Sequence, residues 1–426
     1  MRTHGSRQAL DRRALLSLGA FGACTLLSSR ANGAVKLFGS PRLPDESAAR
    51  PLILLQLSGG NDGLSTVVPY AEDAYHRARP SIAHKKEKLL VLDEYRGLHG
   101  EWKRLRRAFD AGQVAIVEGV GYPKPIRSHF QSLDIWHAAD ARGRGVGAGW
   151  IGRVCEKAFE RETNPNLVVH VGSNVPYSLH STKHPAATFV NPAAYRWAGG
   201  EHATNAYARA SGMGAAADDL LPGAEKPRKL EGESSLEFLR RVMNDGHSSS
   251  LQVRRAAARY TTPIVYPRND ALAGSLRDVA ALVNSDIGSR VLSLELGGFD
   301  THTDQRNRHD NLMKQLDAAL GAFLEDLGRS ERGREAVVVV FSEFGRRVAE
   351  NGSRGTDHGV AAPLFVLGHK LRGGLHGQHP SFEKLDEGDL VHTTDFRSVY
   401  ATLIERCFGL KHEDVLGAKY PLAPIA

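Results

Sequence analysis

Six short, nearly continuous apolar runs constrain this chain more than any other feature: 51–57, 114–117, 167–171, 291–296, 336–341 and 363–367. Val, Ile and Leu dominate them, and runs without polar alternation suit strands buried on both faces, as in a parallel sheet. Between the runs, apolar residues recur at helical spacing over 99–111, 128–139, 234–243, 274–284, 308–327 and 395–408. This alternation predicts an α/β fold with a mostly parallel central sheet and helices on both faces. Two stretches break the pattern. Residues 196–232, rich in Gly, Ala and charge, read as a surface excursion; 369–392, with Gly373, Gly374, Gly377 and Pro380, read as turns or a small hairpin. With no repeats and no convincing linker, 35–426 is expected to be a single domain carrying these two insertions.

The first thirty-odd residues follow another logic. Arg12-Arg13 precedes an apolar stretch from Ala14 to Leu27, and small residues follow at Ala31, Gly33 and Ala34. That stretch is about fourteen residues, whereas a membrane-spanning helix needs about twenty, so 1–34 is expected to be a targeting signal and not an anchor. The arginine pair, followed by Leu15 and Leu16, resembles a twin-arginine signal. The expected export partner is the twin-arginine translocase and the expected location periplasmic or extracellular; a general secretory signal is the alternative. No later stretch is apolar enough to span a membrane, so no stable membrane anchor is expected.

The formal charge of +7 is concentrated in this leader, where five arginines oppose Asp11 alone, and removing that +4 leaves +3 on the rest. So little charge excludes the electrostatic footprint of a nucleic-acid binder. The cluster Lys103, Arg104, Arg106 and Arg107 reads as a solvated helix face. Cys24 lies in the leader, so Cys155 and Cys407 form at most one bridge; two buried free thiols are the favoured reading.

In an open α/β sheet, ligands gather beyond the carboxyl ends of the strands. Acidic and histidine residues follow those ends repeatedly. Strand 51–57 leads to Asp62, strand 291–296 to Asp300 and His302, and strand 336–341 to Glu343, Arg346, Asp357 and His358. Carboxylates with imidazoles, and no thiolate among them, suit Zn²⁺ or Mn²⁺; carboxylates alone suit Mg²⁺ or Ca²⁺. Plainer readings stand beside this one. Asp62 could cap a turn, Asp300 or Thr301 could cap the following helix, and Glu343 could pair with Arg346 or Arg347. Ser128, after strand 114–117 and at a predicted helix start, could be a nucleophile or an N-cap.

Leu-Ser-Gly-Gly-Asn-Asp-Gly-Leu-Ser-Thr-Val-Val-Pro-Tyr (57–70) resembles the opening of a secreted bacterial family, domain of unknown function 1501. Arg-Ser-His-Phe (127–130), Gly-Trp-Ile-Gly-Arg (149–153), Gly-Gly-Phe-Asp-Thr-His (297–302), Ser-Glu-Phe-Gly-Arg (342–346), Thr-Asp-His-Gly (356–359) and Thr-Asp-Phe-Arg-Ser-Val-Tyr (394–400) resemble its other signatures. That family is similar to the alkaline phosphatase and sulfatase superfamily, which implies one or two divalent ions (Zn, Mn or Mg) beside a nucleophile. On this resemblance Asp62 faces a second metal, and Ser128 occupies the nucleophile position. Asp300 and His302 bind the first metal, with closer spacing than usual, and Glu343 and His358 complete the set with Asp357 beside them. Phe344 stands where a paired His is expected, which leaves the second metal site incomplete. The segment around Ser128 also lacks the sulfatase signature for oxidation to formylglycine.

The function expected from this is a metal-dependent hydrolase of phosphate or sulfate esters, with Ser128 or a water as nucleophile and Arg127 or Arg346 stabilising the developing charge. The alternative is a non-catalytic secreted protein that uses the same fold to bind polysaccharide or a surface partner.

Overall fold

Leu52–Leu57 (β1) is buried along its whole length and lies mid-sheet. The computed structural model describes residues 49–140, 147–196 and 235–425. The leader expected over 1–34, Cys24 and nearly all of the excursion expected over 196–232 lie outside them.

The remaining strands are Val67–Val68 (β2), Leu90–Val91 (β3), Gly97–Leu98 (β4), Val114–Gly121 (β5), Val168–Val171 (β6), Ala187–Phe189 (β7), Val291–Leu296 (β8), Val337–Phe341 (β9), Ala362–Leu367 (β10), Gly374–His376 (β11), Leu385–Asp386 (β12), Asp389–Leu390 (β13) and Thr394–Asp395 (β14). Nine form the central sheet, in the order β11-β5-β10-β9-β1-β8-β6-β7 with β14 beside β5. β1 pairs in parallel with both β8 and β9, and β6 with β8 and β7. β10 is the exception, running antiparallel to its neighbours β9 and β5. The sheet is therefore mixed and mostly parallel, as expected, and all six apolar runs are strands within it.

Helices cover both faces. The longer ones are Lys103–Asp110 (α1), His129–Ala138 (α2), Trp150–Ala158 (α3), Ser235–Arg259 (α4), Ala271–Val283 (α5), Gln305–Leu327 (α6) and Phe396–Phe408 (α7). Alternation along β1 divides the core: Ile53, Leu55 and Leu57 pack with residues of α1, α4, α5 and α6, while Leu52 and Leu54 pack with those of α2, α3 and α7. Both sides of one strand are thus apolar because each meets a helix layer. Cys155 and Cys407 are buried free thiols in the second layer.

Some local expectations shift. The helical pattern at 99–111 starts only at Lys103, because 97–98 pairs as β4. The pattern at 234–243 continues to Arg259. The three-stranded sheet β2-β4-β3 was not legible, since two-residue strands leave no periodicity. The stretch 369–392 contains β11 and the β12–β13 hairpin, as its turn residues imply.

Leu55 is fully buried in the central strand. Leu55→Ala is expected to lower the unfolding free energy by about 2–5 kcal/mol, read by urea denaturation, because the lost methyl groups leave a cavity in a rigid sheet.

Candidate metal centre

The direction of four strands decides what meets at the sheet edge. β1, β5, β8 and β9 run the same way, so the segments after them emerge together. β10 runs the other way, so the segment that precedes it, Thr356–Gly359, arrives at that same edge. An isolated bridge between Arg346 and His358 joins the two approaches. Gly59 has φ +116°, and a Cβ there would lie 2.4 Å from the Asp300 amide nitrogen. Only glycine lets the β1 loop press this closely on the β8 loop.

Three imidazoles converge at this edge: His129 at the start of α2, His302 after β8 and His358 before β10. Each has its Nδ1 engaged by an acceptor. His129 Nδ1 lies 2.7 Å from Glu343 Oε1, His302 Nδ1 3.0 Å from Asp357 Oδ1, and His358 Nδ1 2.8 Å from the Arg127 carbonyl. Ionised carboxylates and carbonyls only accept, which assigns the proton of each ring to Nδ1 and leaves Nε2 with its lone pair.

The three Nε2 atoms face one carboxylate oxygen. Asp300 Oδ1 lies 3.0 Å from His302 Nε2, 3.1 Å from His358 Nε2 and 3.6 Å from His129 Nε2. The His302 and His358 Nε2 atoms are 2.9 Å apart, so their lone pairs repel unless a proton or cation lies between them. His129 Nε2 is buried and has no hydrogen-bond partner. His129, Asp300 and His358 have the spacing of a metal-ligating group, with His302 within hydrogen-bond reach of two of them. Imidazoles whose second nitrogen is held by a carboxylate or carbonyl are the usual arrangement around a bound metal. The donor set, three nitrogens and one oxygen, fits Zn²⁺ or a similar ion.

Electrostatics agree with the geometry. Partial burial alone would raise the Asp300 carboxyl, but the hydrogen bond and charge of Arg346 bring it down to about 2. Burial likewise opposes ionisation of Glu343, and hydrogen bonds from His129 and the Gly59 amide outweigh it. The Glu343 hydrogen bond in turn raises His129. Asp357 is lowered by hydrogen bonds from Asn351 and His302.

Several expected roles move. Glu343 and Asp357 sit behind imidazoles, on their Nδ1 atoms. Asp62 is not at the cluster: its carboxylate is fully buried, meets the Arg79 guanidinium at 2.6 and 3.0 Å, and accepts from Ser65 Oγ at 2.7 Å and from Gln305. Those oxygens are engaged by Arg79, Ser65 and Gln305 and by none of the three imidazoles. Arg346 is wholly buried, donating to the carbonyls of Gly60 and Thr356 at 2.7 Å, to those of Gly59 and Phe299, and to Asp300 at 2.7 Å. It positions the carboxylate and is not free to meet a developing anion. The Arg127 guanidinium turns away to Asp389 and Glu387, while its carbonyl orients His358. Ser128 takes the N-cap position of α2 without a capping hydrogen bond, so its hydroxyl is not committed to the helix. The Phe344 ring packs 4.9 Å from His129 and 4.8 Å from His358, centroid to centroid, and offers no donor atom.

His129 is the member of the cluster that the sequence does not single out as a candidate ligand. Its signals were position, directly after Ser128 at a predicted helix start, and membership of the Arg-Ser-His-Phe motif (127–130).

A family described as "Protein of unknown function (DUF1501)" matches residues 117–418. Comparison with curated proteins finds no match. Among solved structures, a 2-O GAG sulfatase aligns with 87% of this chain and 72% of its own, at 10% identity and a TM-score of 0.34. A protein in the alkaline phosphatase superfamily from Vibrio parahaemolyticus aligns with 78% and 62%, at 8% identity and 0.33. A lipoteichoic acid synthase from Listeria monocytogenes aligns with 76% and 67%, at 10% identity and 0.32. At TM-scores of this size, likeness carries no argument about this chain's chemistry.

The Asp62–Arg79 pair generates a test with a sign. Burial alone would push the Asp62 carboxyl up, and Arg79 more than offsets this, holding it far below the usual range. The pair's contribution is therefore complete above the unfolded carboxyl pKa of about 4 and is lost only as pH falls through the depressed folded value. Arg79→Leu is expected to cost about 3–5 kcal/mol near pH 7 by leaving a buried charge unpaired. In that variant burial raises the Asp62 pKa instead, so the loss should shrink as pH falls towards 5. Melting temperatures at the two pH values measure this.

Proposed function

The chain belongs to the DUF1501 family of proteins of unknown function, and from that premise we propose that it is a divalent-metal-dependent hydrolase of phosphate or sulfate esters. One observation carries the reading: three imidazoles present their Nε2 atoms to Asp300 while an acceptor fixes every Nδ1. His129, His302, His358 and Asp300 would hold the ion. A bound Zn²⁺ or Mn²⁺ supplies Lewis acidity, polarising an ester oxygen and making a hydroxyl or water nucleophilic near neutral pH.

The chain's own residues supply the rest. Ser128 begins α2 with its hydroxyl uncommitted, and the free amides of the first helical turn favour an anionic group beside it. Glu343, Asp357 and the Arg127 carbonyl keep the imidazoles in the ligating tautomer. Arg346 holds Asp300 ionised and pointed at them. One ion is the reading these residues support, since Asp62 is consumed by Arg79 and Phe344 offers no donor. That same feature favours the second reading, a protein that keeps a single metal for structure and binds polysaccharide or a surface partner without turnover.

The test uses the mature protein reloaded with Zn²⁺ or Mn²⁺ and offered p-nitrophenyl phosphate and p-nitrophenyl sulfate. Asp300→Asn and His358→Ala are expected to lose turnover together with bound metal, and Ser128→Ala to lose turnover while keeping it. Glu343→Gln should weaken metal affinity about 10–100-fold. A metal complement undiminished in both Asp300→Asn and His358→Ala would sink the ligand assignment; metal bound with no turnover of a broad ester panel would favour the binding protein.

The reading also takes the protein to act outside the cytoplasm after export by the twin-arginine translocase. Among the described residues, no helix is long and apolar enough to cross a membrane. Replacing Arg12-Arg13 by Lys-Lys is expected to leave the protein in the cytoplasmic fraction; unchanged export would point to the general secretory route.

A further inference from the structure

A second group of metal-type ligands lies apart from the candidate centre, where the β2-β4-β3 sheet meets α6. His84 comes from the turn ahead of β3, His99 follows β4 directly, and Asp310 projects from α6. Their ligand atoms all lie within 4.8 Å of one another. We infer that His84, His99 and Asp310 form a second divalent-cation site, of the Zn²⁺ class, which fastens the three-stranded sheet to α6.

Two independent observations point to a ligand here. His84 is only 4% exposed, yet neither of its ring nitrogens makes a hydrogen bond within the described structure, although its backbone amide donates to Tyr75 Oη. Both ring nitrogens are thus left for a ligand, and a cation at this spot engages one of them. Next along α6, His309 is 1% exposed, packs edge-on against His99 with ring centroids 5.8 Å apart, and has an Nδ1 without a partner. This part of the interior is therefore short of positive partners for imidazole lone pairs. Arg306, close to His84, is turned onto the carbonyls of Ile82 and Ala83.

Protonation states suit ligation at neutral pH. Burial pushes His84 down to about 3, so it is a neutral imidazole. Burial opposes ionisation of Asp310, but the hydrogen bond and charge of His99 outweigh it and leave an anion. Two imidazoles and one carboxylate form a common borderline donor set, with water completing the tetrahedron. Asp310 is 38% exposed and gives the ion an entry path. His99 Nε2 now gives its proton to Asp310 at 2.8 Å, and its Nδ1 accepts the Glu101 amide at 3.2 Å. Binding through Nε2 moves the ring proton to Nδ1, so the long Glu101 contact is lost and the shared ion replaces the hydrogen bond to Asp310.

The second site reaches the first through a short relay. His309 Nε2 lies 3.1 Å from Asn61 Oδ1, and the Asn61 amide donates to Ser342 Oγ, next to Glu343. The inference itself does not rest on the hydrolase reading.

Counting metal decides it. The full mature protein is stripped with chelator, reloaded with Zn²⁺ under native conditions, and assayed by elemental analysis beside Asp310→Asn, His84→Gln, His358→Ala and the double variant His84→Gln/His358→Ala. Asp310→Asn and His84→Gln are each expected to hold one equivalent less than wild type, and the double variant one less than His358→Ala. Zn²⁺ should also raise the melting temperature of His358→Ala but not of the double variant. Asp310→Asn changes a half-exposed side chain and keeps the test valid if His84→Gln does not fold. Unchanged metal content in Asp310→Asn overturns the second site whatever His358→Ala does, whereas failure of the candidate centre appears separately, as full retention in His358→Ala.

Discussion

The buried guanidinium of Arg346 is the contact on which the functional edge depends. It gathers carbonyls from Gly59 and Gly60 after β1, Phe299 after β8 and Thr356 ahead of β10, and adds Asp300 as its counter-ion. A buried charge is tolerable only when fully paired and hydrogen-bonded, and here every partner is a backbone group or carboxylate of a loop that must be held. The planar fork of arginine suits this; lysine could not reach four carbonyls at once. Since the same guanidinium points Asp300 at the imidazoles, loop structure and donor geometry come from one interaction.

A second buried arginine does comparable work on the other side of the β1 loop. Arg79 binds both oxygens of Asp62 and also the carbonyls of Arg347 and Val348. Gln305 at the start of α6 joins through Asp62 and accepts from Thr301 and Thr356. The β1 loop, the β8 loop and the segment before β10 are thus tied twice, once around each arginine. Polar networks of this kind are stable only when every member is satisfied, and Asp62 is satisfied here by Arg79, Ser65 and Gln305.

The two imidazole clusters differ in preparation. At the sheet edge every Nδ1 meets an acceptor, so the ligating tautomer exists before any ion arrives. Around His84 and His99 the described structure shows no such fixing, and His99 must give up its hydrogen bonds with Asp310 and Glu101 to ligate through Nε2. Pre-arranged nitrogens suit a centre that does chemistry, where small errors of position are costly. A site whose role is to fasten a small sheet tolerates rearrangement.

The sheet and its covering helices were legible in the sequence because continuous apolar runs and 3.6-residue periodicity are local properties. Each apolar run became a strand, and the residues after the strand ends reached one edge because β1, β5, β8 and β9 share a direction. Asp300, His302 and His358 were legible for the same reason. What sequence could not determine was the order of contact within the site. Whether Glu343 ligates or orients depends on His129, 214 residues away, and whether Asp62 is free depends on Arg79. Burial and hydrogen-bond partners across such separations come only from tertiary packing, because it alone decides which lone pair is spent on a neighbour and which is left for a ligand.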